Sequence, residues 1–186
     1  MKRIAIFASG SGSNAENIAT YFAEKEGIDL VLILTNNPSA FVLERAKIWA
    51  IPSFVFSKKD LNLTTIVIDK LKEYNANIVI LAGFLLKIPS SLINAYPNRI
   101  VNIHPALLPN YGGKGMYGMN VHRAVVANKQ KESGISIHYV NEVYDEGNII
   151  FQAKCSLSSD DSPEDVAAKV QALEYAHYPR IIESII

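Results

Sequence analysis

The chain has 186 residues, with 18 lysines and arginines against 18 aspartates and glutamates, so no overall charge draws it to nucleic acid or an anionic membrane. Its one cysteine, Cys155, excludes an internal disulfide and a multi-thiolate metal site and fits a reducing cytosol. No apolar run approaches the roughly 20 residues of a membrane span. The N-terminal "MKRIAIFASG" has too short an apolar run for a secretory signal, whose core needs about 7–15 residues.

Taken in chain order, apolar β-branched runs alternate with amphipathic ones. "RIAIFA" (3–8) reads as a strand, "AENIATYFAEK" (15–25) as a helix, "IDLVLILT" (28–35) as a strand, "SAFVLERAKIWA" (39–50) as a helix and "SFVF" (53–56) as a strand. "LTTIVIDKLKEY" (63–74), the buried-looking strand "NIVILAGF" (77–84) and the short strand "RIVNI" (99–103) continue the alternation. The pattern predicts an α/β domain with a doubly wound, mostly parallel sheet. After Gly134 the texture changes. "GISIHYV" (134–140) and "GNIIFQAKCSL" (147–157) around the polar turn "NEVYDE" (141–146) read as an antiparallel addition. A helix, "SPEDVAAKVQALEY" (162–175), follows, with Ser162 as N-cap, Pro163 in the first turn and Pro179 breaking or ending it. The length suits one domain, residues 1–186.

Two places carry chemistry. In "FASGSGSNAENI", Gly10 and Gly12 turn the backbone tightly after the first strand and leave the amides near Ser13 and Asn14 at a helix N-terminus, where the helix dipole favours an anion. Gly10, Gly12 and Ala15 also spell the dinucleotide fingerprint. That reading requires an acid at the end of the second strand for the ribose hydroxyls, and the strand ends "LILTNNP". The serines and Asn14 suit a terminal monophosphate better. A turn that is merely tight is the plain alternative.

The second place is "RIVNIHPALLPNYGGKGMYG". Asn102 and His104, two apart at the end of a strand, leave on the same face. A carboxamide and an imidazolium can together stabilise an oxyanion, and the imidazole can move a proton. The glycine-rich stretch Tyr111 to Asn120 reads as a mobile flap. A carboxylate from "VYDEGNII", Asp145 or Glu146, could orient His104 and favour its charged form; spacing alone does not choose. His138 reads as a packing or hydrogen-bonding residue of its strand. No pair among His104, His122, His138 and His177 has the short spacing of a metal site, so no metal is expected.

These residues resemble the phosphoribosylglycinamide formyltransferases. The resemblance rests on "SGSGSN", "NNPSAFVLERAK", "ILAGFLLKIP", "VNIHPALLP", "VYDEGNII" and "VQALEYAHYP", in the family's order across nearly the whole chain. It implies a Rossmann-like formyltransferase fold, with a phosphate and ribonucleotide site in the N-terminal half and a folate and catalytic site in the C-terminal half. It implies cytoplasmic transfer of a formyl group from 10-formyltetrahydrofolate, as co-substrate, to glycinamide ribonucleotide in purine biosynthesis. Small-molecule substrates are the partners implied, with no nucleic acid or membrane, in a monomer or homodimer.

The resemblance places the ribonucleotide's phosphate on Gly12, Ser13 and Asn14 and its ribose side on Glu174. The folate falls on Leu85, Leu86, Lys87 and Ile88, with Asn102 and a lysine, Lys58 or its neighbour Lys59, where many relatives carry arginine. Asn102, protonated His104 and Asp145 become the catalytic residues, with Asp145 rather than Glu146 matching the family's acid. Asn148 stands where the family often has proline. The flap is longer than in the best-known members, so Lys114, Tyr117 and His122 read as residues of substrate closure. Methionyl-tRNA formyltransferases and formyltetrahydrofolate deformylases share part of the pattern but resemble longer chains with an extra domain. A chain of 186 residues starting its first strand at Lys2 is expected to be neither.

Overall fold

The computed structural model describes residues 1–186. Its elements are β1 (Lys2–Phe7), α1 (Ser13–Phe22), β2 (Ile28–Thr35), α2 (Val42–Ile48), β3 (Ser53–Val55), α3 (Lys58–Leu63), α4 (Ile66–Glu73), β4 (Ile78–Leu81), α5 (Ser90–Ala95), β5 (Ile100–His104), α6 (Met119–Ala127), β6 (Glu132–Tyr139), β7 (Ile149–Ser156) and α7 (Pro163–Ile185). The strands form a seven-stranded mixed sheet in the order β3-β2-β1-β4-β5-β6-β7. The chain resolves into two compact units, Met1–Val101 with Ile186, and Asn102–Ile185.

In the first unit β1 pairs in parallel with β2 on one side and β4 on the other, with Phe7 opposite Leu34 and Leu81. β2 pairs in parallel with β3. Ile4, Ala5, Ile6 and Phe7 are all fully buried, which is why β1 reads as a continuous apolar run instead of an alternating one: both of its faces are covered. The chain leaves β1 toward β2 and later returns to β1's other side as β4, so the turn after β1 stands where the strand order reverses. The carboxyl ends of strands at such a reversal are where open α/β sheets bind ligands. An edge-to-face cluster of Phe7 with Phe56 and Phe84, ring centroids 5.7 and 5.2 Å from Phe7, closes the apolar layer below that end.

Two short helices were not visible in the periodicity. α3 is set by a capping box, in which the Ser57 hydroxyl accepts from the Asp60 amide and the Asp60 carboxylate accepts from the Ser57 amide. α5 follows Pro89, which enters it in an extended conformation.

In the second unit β6 and β7 form the expected antiparallel pair, from Glu132 opposite Ser156 to His138 opposite Ile149. α7 packs on α6, β6 and β7. Its start is as read: Ser162 Oγ accepts from the Asp165 amide at 3.1 Å and the Asp165 carboxylate accepts from the Ser162 amide at 2.9 Å. Its end corrects the sequence reading, because the helix runs through Pro179 to Ile185. Proline removes one intrahelical hydrogen bond, but Tyr178, Pro179 and Ile182 are buried together with Val166 and Val170. That apolar stripe holds the last two turns in place against the local penalty.

Candidate active site

The turn after β1 is a backbone construction. Past the strand's end, Ala8 N–H donates to the Leu34 carbonyl and Ser9 N–H to the Gly83 carbonyl, both at 3.0 Å. The buried Ser9 hydroxyl donates to Asn36 Oδ1 at 2.6 Å and accepts from the Leu85 amide at 3.0 Å. One side chain thus ties the ends of three strands. Gly12 is the N-cap of α1 with φ +72°, and no side chain caps the helix. A Cβ at Gly12 would meet the Val42 Cβ at 2.6 Å, so both backbone and space demand glycine there. Gly10 has neither constraint. Ser13 opens α1 and Asn14 is buried behind it. An uncapped helix N-terminus carrying a partial positive charge suits an anion.

The folate-lining stretch named from sequence leaves β4 in the same unit. Leu85 is 51% exposed and Ile88 4%; Leu86 lies between them and Lys87 is exposed. Lys58 and Lys59 are both exposed in the first turn of α3, and the structure does not separate them. Glu174 belongs to the other unit, half-buried on α7. Its charge, after burial, helps push the Tyr178 phenol well above its ordinary pKa.

The second unit assembles Asn102, His104 and Asp145, and adds His138, which the sequence offered only as a packing or hydrogen-bonding residue. His104 is 4% exposed, its Nδ1 3.6 Å from Asp145 Oδ2 and its Nε2–H donating to the Tyr111 carbonyl at 2.7 Å. His138 Nε2 lies 3.6 Å from Asp145 Oδ1 and 3.1 Å from Asn102 Nδ2. The carboxylate therefore stands between two imidazoles, and His138 links it to Asn102. His138 Nδ1–H donates to the Tyr139 carbonyl at 2.9 Å, which leaves Nε2 to accept from the Asn102 amide. That bond uses one of the two Nδ2 hydrogens and leaves the other for a ligand oxygen. Glu146 is exposed on the turn.

Asp145 is held in a costly conformation. Its φ is +56°, a left-handed backbone that aspartate tolerates better than most residues. The Gly113 amide donates to its Oδ2 at 2.8 Å. A Cβ at Gly147 would collide with the Tyr139 carbonyl, so glycine there lets the turn fold back on β6. The exit from His104 is pinned as well. The buried Ser136 hydroxyl donates to the Ala106 carbonyl at 2.7 Å and accepts from the Leu108 amide at 2.9 Å, while Gln152 Nε2 donates to the Leu108 carbonyl at 3.0 Å. Ser136 and His138, two apart on β6, share one face. Two buried polar residues at strand spacing in "ISIHYV" were the signal that could have marked His138.

Burial is the largest influence on the titration of His104. Burial lowers the His104 pKa and outweighs the pull of Asp145 and the Tyr111 carbonyl, and His138 lowers it further. Asp145 does favour the imidazolium, but the desolvated site keeps the resting imidazole neutral. For Asp145 itself, burial raises the pKa but is overcome by the neighbouring His138 and His104 imidazoles and by the Gly113 amide, so the carboxyl titrates below its ordinary range. His122, on α6 and buried, is lowered by desolvation and then by His104. The flap differs slightly from its predicted span, since Met119 and Asn120 already form the first turn of α6. No group of three or more His, Cys, Asp or Glu side chains could hold a metal ion, and no helix is long and apolar enough to cross a membrane.

A model of the formyl transferase family matches residues 2–182. The chain belongs to that family. Within it, the chain is 40% identical over 190 residues to the chloroplastic phosphoribosylglycinamide formyltransferase of Arabidopsis thaliana, covering 99% of this chain and 65% of that protein. It is 35% identical over 191 residues to the phosphoribosylglycinamide formyltransferase of Bacillus subtilis, covering 100% of this chain and 95% of the relative. The crystal structure of phosphoribosylglycinamide formyltransferase from Bacillus halodurans superposes with a TM-score of 0.88 at 36% identity, over 99% of this chain and 95% of that one. The chain thus spans 65% of the plant relative's length and 95% of the bacterial one's.

Proposed function

We propose that the protein transfers a formyl group from 10-formyltetrahydrofolate to the amine of glycinamide ribonucleotide, a step of purine biosynthesis. The observation that carries this reading is the cluster of the second unit: an Asn102 amide hydrogen and the buried His104 imidazole at the end of β5, backed by the Asp145 carboxylate. In the first unit, Gly12, Ser13 and Asn14 would take the substrate's phosphate, and Leu85, Leu86, Lys87 and Ile88, with Lys58 or Lys59, the folate. Glu174 would accept hydrogen bonds from the ribose hydroxyls.

The primary amine attacks the formyl carbon, forming a carbon–nitrogen bond and leaving negative charge on the former carbonyl oxygen. Asn102 donates to that oxygen. Because burial keeps His104 neutral at rest, it takes up the amine's proton as the tetrahedral intermediate forms. The resulting imidazolium is stabilised by Asp145 and by the Tyr111 carbonyl. Returning the proton to the folate nitrogen, directly or through water, lets the bond between that nitrogen and the formyl carbon break.

The test is tetrahydrofolate release from 10-formyltetrahydrofolate by purified protein, with and without glycinamide ribonucleotide. Release that depends on the ribonucleotide supports transfer. Release without it assigns the cluster to hydrolysis, and none in either case removes the reading.

A further inference from the structure

The glycine turn is shaped from outside by α2. Val42 N–H donates to the Gly10 carbonyl at 3.1 Å, Arg45 Nε–H donates to the Ser11 carbonyl at 2.9 Å, and Glu16 N–H, within α1, donates to the Gly12 carbonyl at 2.9 Å. Three successive carbonyls are therefore tied down. In a trans peptide the carbonyl and the following amide point in opposite directions, so these bonds turn the amides of Ser11, Gly12 and Ser13 each away from the group that holds the preceding carbonyl. Arg45 is the only side chain among the three donors. Its Nη1 also pairs with Glu16 in the first turn of α1, and its guanidinium carbon lies 5.1 Å from the centre of the Phe41 ring. The side chain is 21% exposed, held by a carbonyl, a carboxylate and an aromatic face at once.

We propose that Arg45 is a positioning residue for the phosphate turn. By fastening the Ser11 carbonyl it aims the turn's amides at a phosphate monoester, and it sets a guanidinium, paired with Glu16, beside the turn. It touches neither the formyl group nor the folate. The inference rests on the reading that the turn binds the substrate's phosphate, but not on the formyl transfer itself. Lysine cannot replace it fully, because a single ammonium lacks the planar fork that reaches Ser11 and Glu16 together.

Two readouts test this in the full-length protein: calorimetric binding of ribose 5-phosphate, which needs no formyl donor, and steady-state kinetics with both substrates. Arg45→Ala should weaken ribose 5-phosphate binding and raise the KM for the ribonucleotide by about tenfold, with kcat and the KM for formylfolate within about twofold of wild type. Arg45→Lys should fall between. Glu16→Gln, which keeps an acceptor for Arg45 but removes a negative charge, should leave phosphate affinity equal or higher. The inference is overturned by unchanged ribose 5-phosphate affinity in either Arg45 variant that melts as a folded protein. It is also overturned if kcat and both KM values worsen together, or if Glu16→Gln loses as much phosphate affinity as Arg45→Ala, since the effect would then belong to the pairing of α1 with α2. Wild-type protein that binds ribose 5-phosphate yet forms no formylated product would defeat the transfer reading while leaving this test intact. Wild-type protein that binds no phosphate ester would defeat the inference.

Discussion

The turn after β1 and the polar cluster that begins at the end of β5 are both sites at strand termini, yet they are made of different materials. The turn is backbone: a glycine at φ +72°, an uncapped helix start and carbonyls tied back by α2. The cluster is side chain: two buried histidines with a half-buried asparagine and carboxylate, drawn from β5, β6 and the turn before β7. A backbone site is damaged by adding atoms and a side-chain site by removing them. The first responds mainly in binding, the second mainly in turnover and in pH dependence.

The largest separation should come from His104→Ala. Loss of an acid–base group that acts in the transition state lowers kcat by about 10²- to 10⁴-fold, while ribose 5-phosphate binding stays within about twofold. Equal losses of both, measured by single-turnover kinetics and calorimetry, would erase the distinction between the sites. Gly12→Ala makes the opposite cut. The new Cβ meets Val42 and sits at a positive φ, costing about 2–3 kcal/mol split between folding and phosphate affinity. A variant with unaltered melting and unaltered phosphate binding would show that the turn is not rigid.

Acid should separate the regions next. His104 and His122 both have pKa values lowered by burial, so below about pH 6.5 the unfolded chain binds protons that the folded chain refuses. Their contribution to stability is complete above that value and is lost as the pH falls toward the folded pKa values. Asp145, also lowered, adds the same sign at lower pH. Denaturant melts should weaken between about pH 7 and 5, and His122→Gln should flatten that slope. The acid limb of kcat/KM should lie below the ordinary imidazole value, and a limb above it would mean that His104 rests charged. The smallest effect is expected for Pro179→Ala. The regained hydrogen bond and the lost buried ring roughly offset each other, leaving stability within about 1 kcal/mol by urea melts.

Much of this was legible because it is local. Apolar runs and their alternation marked the neighbourhoods of all seven strands, and the glycines, prolines and capping residues Ser162 and Gly12 name their own backbone tasks. The motif strings carried the family, and the residue pair Asn102 and His104 announced itself by spacing two on a strand. What spacing could not decide was anything set by distant partners. Asp145 was not separable from Glu146 by chemistry, since the choice depends on which carboxyl the Gly113 amide and two imidazoles surround.

His138 was read as packing or hydrogen-bonding on its strand, and only the pairing of β6 with its neighbours showed that its partners are Asn102 and Asp145. Pro179 was read as a helix end because the local penalty is visible and the buried stripe that overrides it is not. The desolvation of His104 was out of reach for the same reason: a neighbouring acid can be inferred from sequence, whereas desolvation is a property of everything packed around the ring. Arg45 is the clearest case. Within "LERAK" it is an ordinary helix-face charge, and only the fold lays it against a carbonyl 34 residues earlier in the chain. Sequence determines what each segment prefers through interactions a few residues long. Burial, the sum of electrostatic neighbours and the pairing of remote groups come into being only when the chain has closed on itself.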